Sequence, residues 1–464
     1  STMPKHVALR TRLRALARSL SPGELSFAPD ALEAHAGDQW FARATPDAVA
    51  LPTSTRSVAR ILAFASRHGI PVTARGAGHG YVGGCVPVRG GIALSLARMK
   101  EILEVSPKDF VAVVQPGVIT ATLQAAVERR GLFYPPDPAS RDKCSIGGNV
   151  ATNAGGPRCL KYGVTRDYVL GLEVVRPDGE VVRLGGRTHK NKTGFDLHRL
   201  FVGSEGMLGV VTEATVKLLP LPPYRACLGV GFKSMPAAIR AMDSVLAAGW
   251  LPSALELADE FTLAAAAKRT GSSRLGGCKA HLIIEIDGQE RSVRSELGDL
   301  EALVGRQRPL FIDRGEGPEG CEALWQLRRQ FSYALRDTGL TKLNEDVVVP
   351  RGSIQRLFVL AAKIQERHGI RVACFGHAGD GNIHVNLMLD RSDPLQEKAS
   401  ERGLDELFEG VLGMGGAITG EHGVGLAKAR WWKLAAAPPV VRLHEDVRHA
   451  LDPTRILNPG KFLG

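Results

Sequence analysis

The sequence contains no paired-cysteine motif. Its 7 cysteines are Cys85, Cys144, Cys159, Cys227, Cys278, Cys321 and Cys374, and none stands in a C-x-x-C spacing. That excludes an iron–sulfur cluster, a zinc ribbon and a disulfide framework. Scattered cysteines of this kind are small buried apolar residues in a reducing compartment, so a cytoplasmic location is expected. Long apolar runs are missing too. None approaches the roughly 18 residues of a membrane span, and the first residues lack a secretory apolar core. Ser1 and Thr2, ahead of Met3, read as a cloning remnant. A composition 44% hydrophobic and 23% charged excludes a disordered chain, a collagen and a coiled coil.

Charge is one-sided, at +11. No basic run, RNA-recognition signature or zinc finger accompanies it, so nucleic acid is not expected as a partner. The surplus fits an anionic cofactor and substrate. It also fits an acidic electron carrier or a peripheral contact with an anionic membrane.

Glycine is plentiful, with 53 residues among 464. The length predicts two to three domains of roughly 150–200 residues. Val58, Ile61, Leu62 and Ala65 mark a helix that Gly69 can cap, and a strand is expected at 70–73. Strands are expected at 111–114 and around 210–219. Two β-rich runs flank Pro177-Asp178-Gly179 as a hairpin. Three prolines between Leu219 and Pro223 mark the clearest boundary. Beyond it, Leu324, Leu327 and Phe331 share a helix face, Ile354 to Ala361 share another, and a strand is expected at 370–375.

Two glycine-rich stretches stand before that boundary. In the first, Arg75, Gly76, Ala77, Gly78, His79, Gly80, Gly83 and Gly84 come after a strand. Gly78-x-Gly80-x-x-Gly83 matches the dinucleotide fingerprint. The next residues, Gly84-Cys-Val-Pro-Val-Arg-Gly-Gly91, cannot open a helix, so a Rossmann loop is rejected. The loop can still cradle phosphate through successive N–H groups. The second stretch runs from Pro135 to Gly156. Gly147, Gly148, Gly155 and Gly156 allow a flat ligand to approach the backbone, and Asn149, Thr152 and Asn153 offer uncharged hydrogen bonds. Arg158, Lys161 and Arg166 come next and can face phosphates.

Imidazoles concentrate after the boundary. His377 and His384 flank a glycine turn, and His384 and Asn386 share a strand face. Gly420 to Gly425 adds Glu421 and His422. Two imidazoles and a carboxylate suit Zn²⁺, Mn²⁺ or Fe²⁺ with open positions, and a further neutral His suits a general base. On these residues alone a metal-dependent hydrolase stays open.

The motifs around Arg75–Gly84, Pro135–Ser140, Ser145–Gly156 and Gly203–Gly209 resemble the vanillyl-alcohol-oxidase superfamily. Within it the chain is similar to the D-lactate dehydrogenase, glycolate oxidase flavin subunit and D-2-hydroxyglutarate dehydrogenase group, from about Leu51 to Gly464. The resemblance implies an α+β fold, with a two-subdomain FAD-binding domain over 1–220. It implies an α+β substrate (cap) domain with an antiparallel sheet over 221–427, and a segment at 428–464 returning to the FAD domain. It implies FAD held by the first loop and by Pro135, Asp137, Ser145 and the second stretch, with Asn458 near the flavin. It implies His377, His384 and Glu421 as metal ligands, zinc foremost, with His422 as catalytic base. Asn386, Arg328 and, more loosely, Lys342 become substrate contacts.

The implied reaction is oxidation of a D-2-hydroxy acid to the 2-keto acid, with hydride passing to flavin N5. Electrons would leave to an electron-transfer flavoprotein, a cytochrome, a quinone or O₂, and a homodimer is expected. His79 departs from this group and resembles the histidine of members that bond FAD covalently. An O₂-using oxidase with bonded FAD is therefore the alternative. Lys190–Gly206 reads closer to the D-lactate branch than to the glycolate branch.

Overall fold

The structure is a computed structural model describing residues 5–464, so Ser1 and Thr2 lie outside the described residues. The chain divides into two units. One gathers the residues up to 155 with 164–221 and 421–464, and the other consists of 156–163 and 222–420.

The first unit holds two sheets. Thr55–His68 forms the expected helix, because Ser54 accepts from the Ser57 N–H at its start and Gly69, at φ 63°, ends it. Its buried face, Val58, Ile61, Leu62 and Ala65, packs on a four-stranded sheet ordered Leu25–Ser26, Ala48–Ala50, Ile92–Ser95, Val72–Arg75. Val58, Ile61 and Leu62 each contribute about 1.5–3 kcal/mol on burial. The last three strands are parallel. The expected strand at 70–73 is shifted to Val72–Arg75, because Pro71 has no N–H for the ladder. Ile456 and Leu457 from the C-terminal tail join the same core. The Val72 N–H donates to Ile456 O at 2.7 Å, and the Asn458 N–H donates to Val72 O at 2.7 Å.

The second sheet of this unit is antiparallel, ordered Ile102–Ser106, Val111–Val114, Val210–Lys217, Val169–Val175, Val181–Gly185. The hairpin at Pro177–Gly179 forms as read. Leu219–Pro220 is not a free linker, because it pairs with Leu132–Phe133.

The second unit is built on a seven-stranded antiparallel sheet. Its order is Phe311–Glu316, Tyr224–Phe232, Ala280–Gly288, Ala254–Asp259, Arg371–His377, Asn382–Leu389, Thr341–Val348. Helices Glu260–Thr270 and Gly317–Arg336 pack over one face, sharing a core with Ala258, Phe375 and Met388. This is the expected α+β architecture with an antiparallel sheet.

Candidate active site

The period of two in a strand decides which side chains can meet. In the second unit, His377 stands opposite Glu256, Phe375 opposite His384, and Ala373 opposite Asn386. On the next strand Asp346 opposes His384, Asn344 opposes Asn386, and Lys342 opposes Met388. Glu256, His377, His384, Asn386, Asn344 and Lys342 therefore share one face. Helix Gly317–Arg336 covers that face, with the Phe331 ring 5.7 Å from that of Phe375 and the Arg328 guanidinium 4.7 Å above Phe375.

Glu256 joins two of the expected residues. Its Oε2 accepts from Arg328 Nε at 2.5 Å, and its Oε1 pairs with His377 Nδ1 at 2.5 Å. Burial alone would raise the Glu256 carboxyl, but His377 and then Arg328 outweigh it and hold it below the usual range. A carboxylate at this distance favours Nδ1–H on His377 and leaves Nε2 as the acceptor nitrogen. The His377 and His384 rings stand 5.5 Å apart and nearly perpendicular, at 83°. Gly420, held by its N–H to Asp346 O at 3.1 Å and to Asp346 Oδ2 at 2.9 Å, is the residue from which the chain continues into Glu421.

Around these groups the face carries further polar side chains. Lys342 Nζ donates to Ser332 Oγ at 2.6 Å. Burial, with Arg336 and Arg328 nearby, pushes its ammonium down to about 8. Asn386 spends its NH₂ on Ala373 O (3.0 Å) and His384 O (3.2 Å). Its Oδ1 and that of Asn344 opposite are buried without a protein donor among the described residues. Buried acceptors of this kind call for a donor such as a substrate hydroxyl.

Arg158 and Lys161 do not face an open phosphate site. Arg158 pairs with Glu285 at 3.3 Å, and Lys161 with Asp287. These ion pairs draw both side chains to strand Ala280–Gly288, where Glu285 also takes Arg225 at 3.2 Å.

In the first unit the two glycine-rich stretches meet. A side chain on Gly76 would run into Ser145 Oγ and come within 3.3 Å of Gly148 N. No helix succeeds the first loop, as expected. The second stretch does contain one, Ile146–Thr152, with Ser145 as N-cap and Asn153 at φ 51° as C-cap. Two consecutive glycines hid it from the sequence reading.

Several polar groups there are used by the fold. Asn149 donates to Thr120 Oγ1 at 2.7 Å, Thr152 donates to Gly148 O at 3.2 Å, and Asn153 Oδ1 accepts the Arg166 N–H at 2.8 Å. Arg75 donates to Gly37 O at 2.8 Å and lies across Gly78. Pro135 and Asp137 are buried beside this stretch. His79 is held below its ordinary pKa by burial, then by Lys143 and Arg75.

Gly84 is not demanded by the loop's own packing. A Cβ there would meet only Val82 at 3.9 Å, and the residue needs no left-handed φ. The protein itself does not require glycine at this position, whereas a flat ligand lying on the backbone would. Asn458 ties the tail to the same place, donating to Gly84 O (2.9 Å) and Glu205 O (2.7 Å). In this unit the Tyr81 and His422 rings lie 5.3 Å apart.

Sequence reasoning missed Glu256, Asn344, Tyr81 and the role of Glu205. Glu256 had a signal, being an acid inside the apolar strand Ala254–Asp259. Asn344 and Tyr81 had none, because register and loop path bring them in.

Residues 46–185 match the FAD binding domain family, and 221–462 match the family of FAD linked oxidases, C-terminal domain. The chain belongs to the FAD-linked oxidases and is an FAD-dependent oxidoreductase. Glycolate oxidase subunit GlcD of Bacillus subtilis is 40% identical over 417 residues, spanning 90% of this chain and 89% of that protein. D-lactate dehydrogenase of Anaerostipes hadrus is 34% identical over 438 residues, spanning 91% and 90%. These whole-length identities run opposite to the branch suggested by 190–206. The fold is that of substrate-bound p-cresol methylhydroxylase, with TM-score 0.81 and 17% identity over 100% of this chain and 98% of that one. No helix among the described residues is long and apolar enough to cross a membrane. An oxidoreductase takes a small-molecule substrate and an electron acceptor, and the family sets the hydrolase reading aside.

Proposed function

We propose that the chain oxidises a D-2-hydroxy acid to the 2-keto acid, using FAD held in 1–220 and a divalent metal held by His377, His384 and Glu421. The observation that carries this reading is the Arg328–Glu256–His377 chain, in which Glu256 and His377 are buried. One carboxylate orients both a guanidinium suited to a substrate carboxylate and an imidazole suited to a metal. The names glycolate oxidase subunit and D-lactate dehydrogenase, carried by relatives, both denote 2-hydroxy acids.

When bound, FAD supplies the two-electron acceptor and the metal a Lewis acid, with zinc, manganese or iron fitting imidazole and carboxylate donors. Arg328 and Lys342 hold the substrate carboxylate. Asn386 and Asn344 accept from substrate donors, and His422 takes the hydroxyl proton on its imidazole. Residues 428–464 close on the FAD-binding part. Electrons pass onward to an electron-transfer flavoprotein, cytochrome, quinone or O₂, in a cytoplasmic homodimer that touches membranes at most peripherally.

An anaerobic screen of hydroxy acids, following bleaching of the blue flavin band, tests the reading. Bleaching by D-2-hydroxy acids is expected. Bleaching by L-enantiomers alone, or by none, rejects it.

A second reading concerns His79, whose neutral imidazole is the form a bond to the flavin requires. Acid precipitation that leaves all flavin in the supernatant rejects that bond.

A further inference from the structure

We propose that Glu205 is a positioning residue, whose carboxylate fixes the loop that carries His422. The proposal rests on reading His422 as the base. Glu205 lies 219 residues before Val424 of that loop, yet both belong to the first unit.

The grip is made of named bonds. The Gly425 N–H donates to Glu205 Oε1 at 2.8 Å. The Val424 N–H lies 3.2 Å from both Oε1 and Oε2. Gly423, at φ 87°, packs so closely that a Cβ there would stand 2.9 Å from Oε1. From the other side, the Leu426 and Ala427 N–H groups donate to Val82 O at 2.7 and 3.0 Å. The residue before Val82 is Tyr81, whose ring faces His422. The turn after His422 is thus clamped between an acid and the first glycine loop.

Glu205 is itself fixed at unusual expense. It has φ 50°, a left-handed conformation that a side-chain-bearing residue adopts only when surroundings impose it. Its N–H donates to Ala151 O at 2.8 Å, and its O accepts from Asn458 at 2.7 Å. Burial pushes its carboxyl up to about 7 against the Val424 and Gly425 N–H groups. The two adjacent N–H groups of the turn converge on one oxygen, Oε1, whose two lone pairs can accept from both, and Oε2 adds a second contact to Val424. A base must be held within a fraction of an ångström to act.

Hydrogen exchange and steady-state kinetics on the full-length FAD-loaded enzyme test this, with Glu205→Ala, Glu205→Gln and Glu205→Asp. In Glu205→Ala, amides of 421–427 should exchange at least ~10-fold faster while the rest of the unit keeps its protection. Its kcat per bound FAD should fall by about 100-fold, with KM within about threefold. Glu205→Gln keeps one acceptor at full reach and should restore loop protection and most of kcat. Glu205→Asp, one methylene short, should restore less. Unchanged loop exchange in Glu205→Ala overturns the proposal. So does exchange raised uniformly with parallel loss of FAD, which is general support of the fold. If Glu205→Ala does not fold, Glu205→Asp outperforming Glu205→Gln overturns it. His422→Ala retaining turnover while Glu205→Ala still loosens the loop locates the failure in the base reading and overturns the role given to Glu205.

Discussion

Glu256 Oε1 stands 2.5 Å from His377 Nδ1, inside the second unit. The same carboxylate binds Arg328 through Oε2. Removing its charge leaves a half-buried guanidinium and a buried imidazole without their shared anion. Glu256→Gln should lower stability by about 3 kcal/mol, read as a shift in the urea midpoint. It should also weaken zinc binding by about 10–100-fold, read by competition with a chromophoric chelator. Equal zinc affinity in the two proteins would detach Glu256 from the ligand role proposed for His377.

Lys342 gives a pH dependence with a definite sign. Its ammonium is pushed down to about 8 by burial, then by Arg336 and Arg328. As pH rises through 8 the ammonium is lost, so substrate KM should climb between pH 7 and 9. Lys342→Met should show a high KM that is flat over the same range. Stability moves oppositely to binding. The unfolded chain holds this proton up to the ordinary lysine value of 10.5, so folding stability gained from Lys342 rises from pH 8 to 10.5. A KM that falls as pH rises would refute the assignment.

Asn458 closes the tail on two carbonyls, Gly84 O and Glu205 O, and accepts from Lys461 Nζ at 2.9 Å. Asn458→Ala leaves those carbonyls and a buried ammonium short of partners. The expected cost is about 2–3 kcal/mol, seen as a lowered Tm, together with faster FAD release in dilution. A change within error in both would leave the tail a passive edge of the sheet.

Much of this architecture was legible because it obeys local rules. Val58 to Ala65 repeat at helical spacing and Gly69 ends the pattern, so the helix needs no tertiary information. Pro177–Gly179 announces its hairpin in the same way. His377 and His384 were visible as a pair across a glycine turn. Glu256, the partner of His377, lies more than a hundred residues earlier, and only the pairing of Ala254–Asp259 with Arg371–His377 brings it there. The short helix Ile146–Thr152 escaped because Gly147 and Gly148 oppose helix by propensity, while the cap at Ser145 and tertiary packing decide in its favour. Arg158 and Lys161 were misleading because a basic residue near a glycine stretch says nothing of the acid that strand Ala280–Gly288 sets beside it.

Gly84 separates the demands of the fold from those of the cofactor. A methyl group there meets nothing closer than Val82 at 3.9 Å, and the backbone is not left-handed. Gly84→Ala should therefore leave the Tm of the flavin-free protein unchanged, while a flavin held as proposed against this backbone would lose its approach. Apparent FAD affinity should fall at least ~10-fold, measured by quenching of flavin fluorescence on reconstitution. Gly91→Ala is the control. Its Cβ would strike Pro71 O, and its φ of 75° excludes a side chain on other grounds, so it should lose Tm with or without flavin. If Gly84→Ala lowers the Tm of the flavin-free protein as Gly91→Ala does, the glycine serves folding and the cradle assignment fails at that residue.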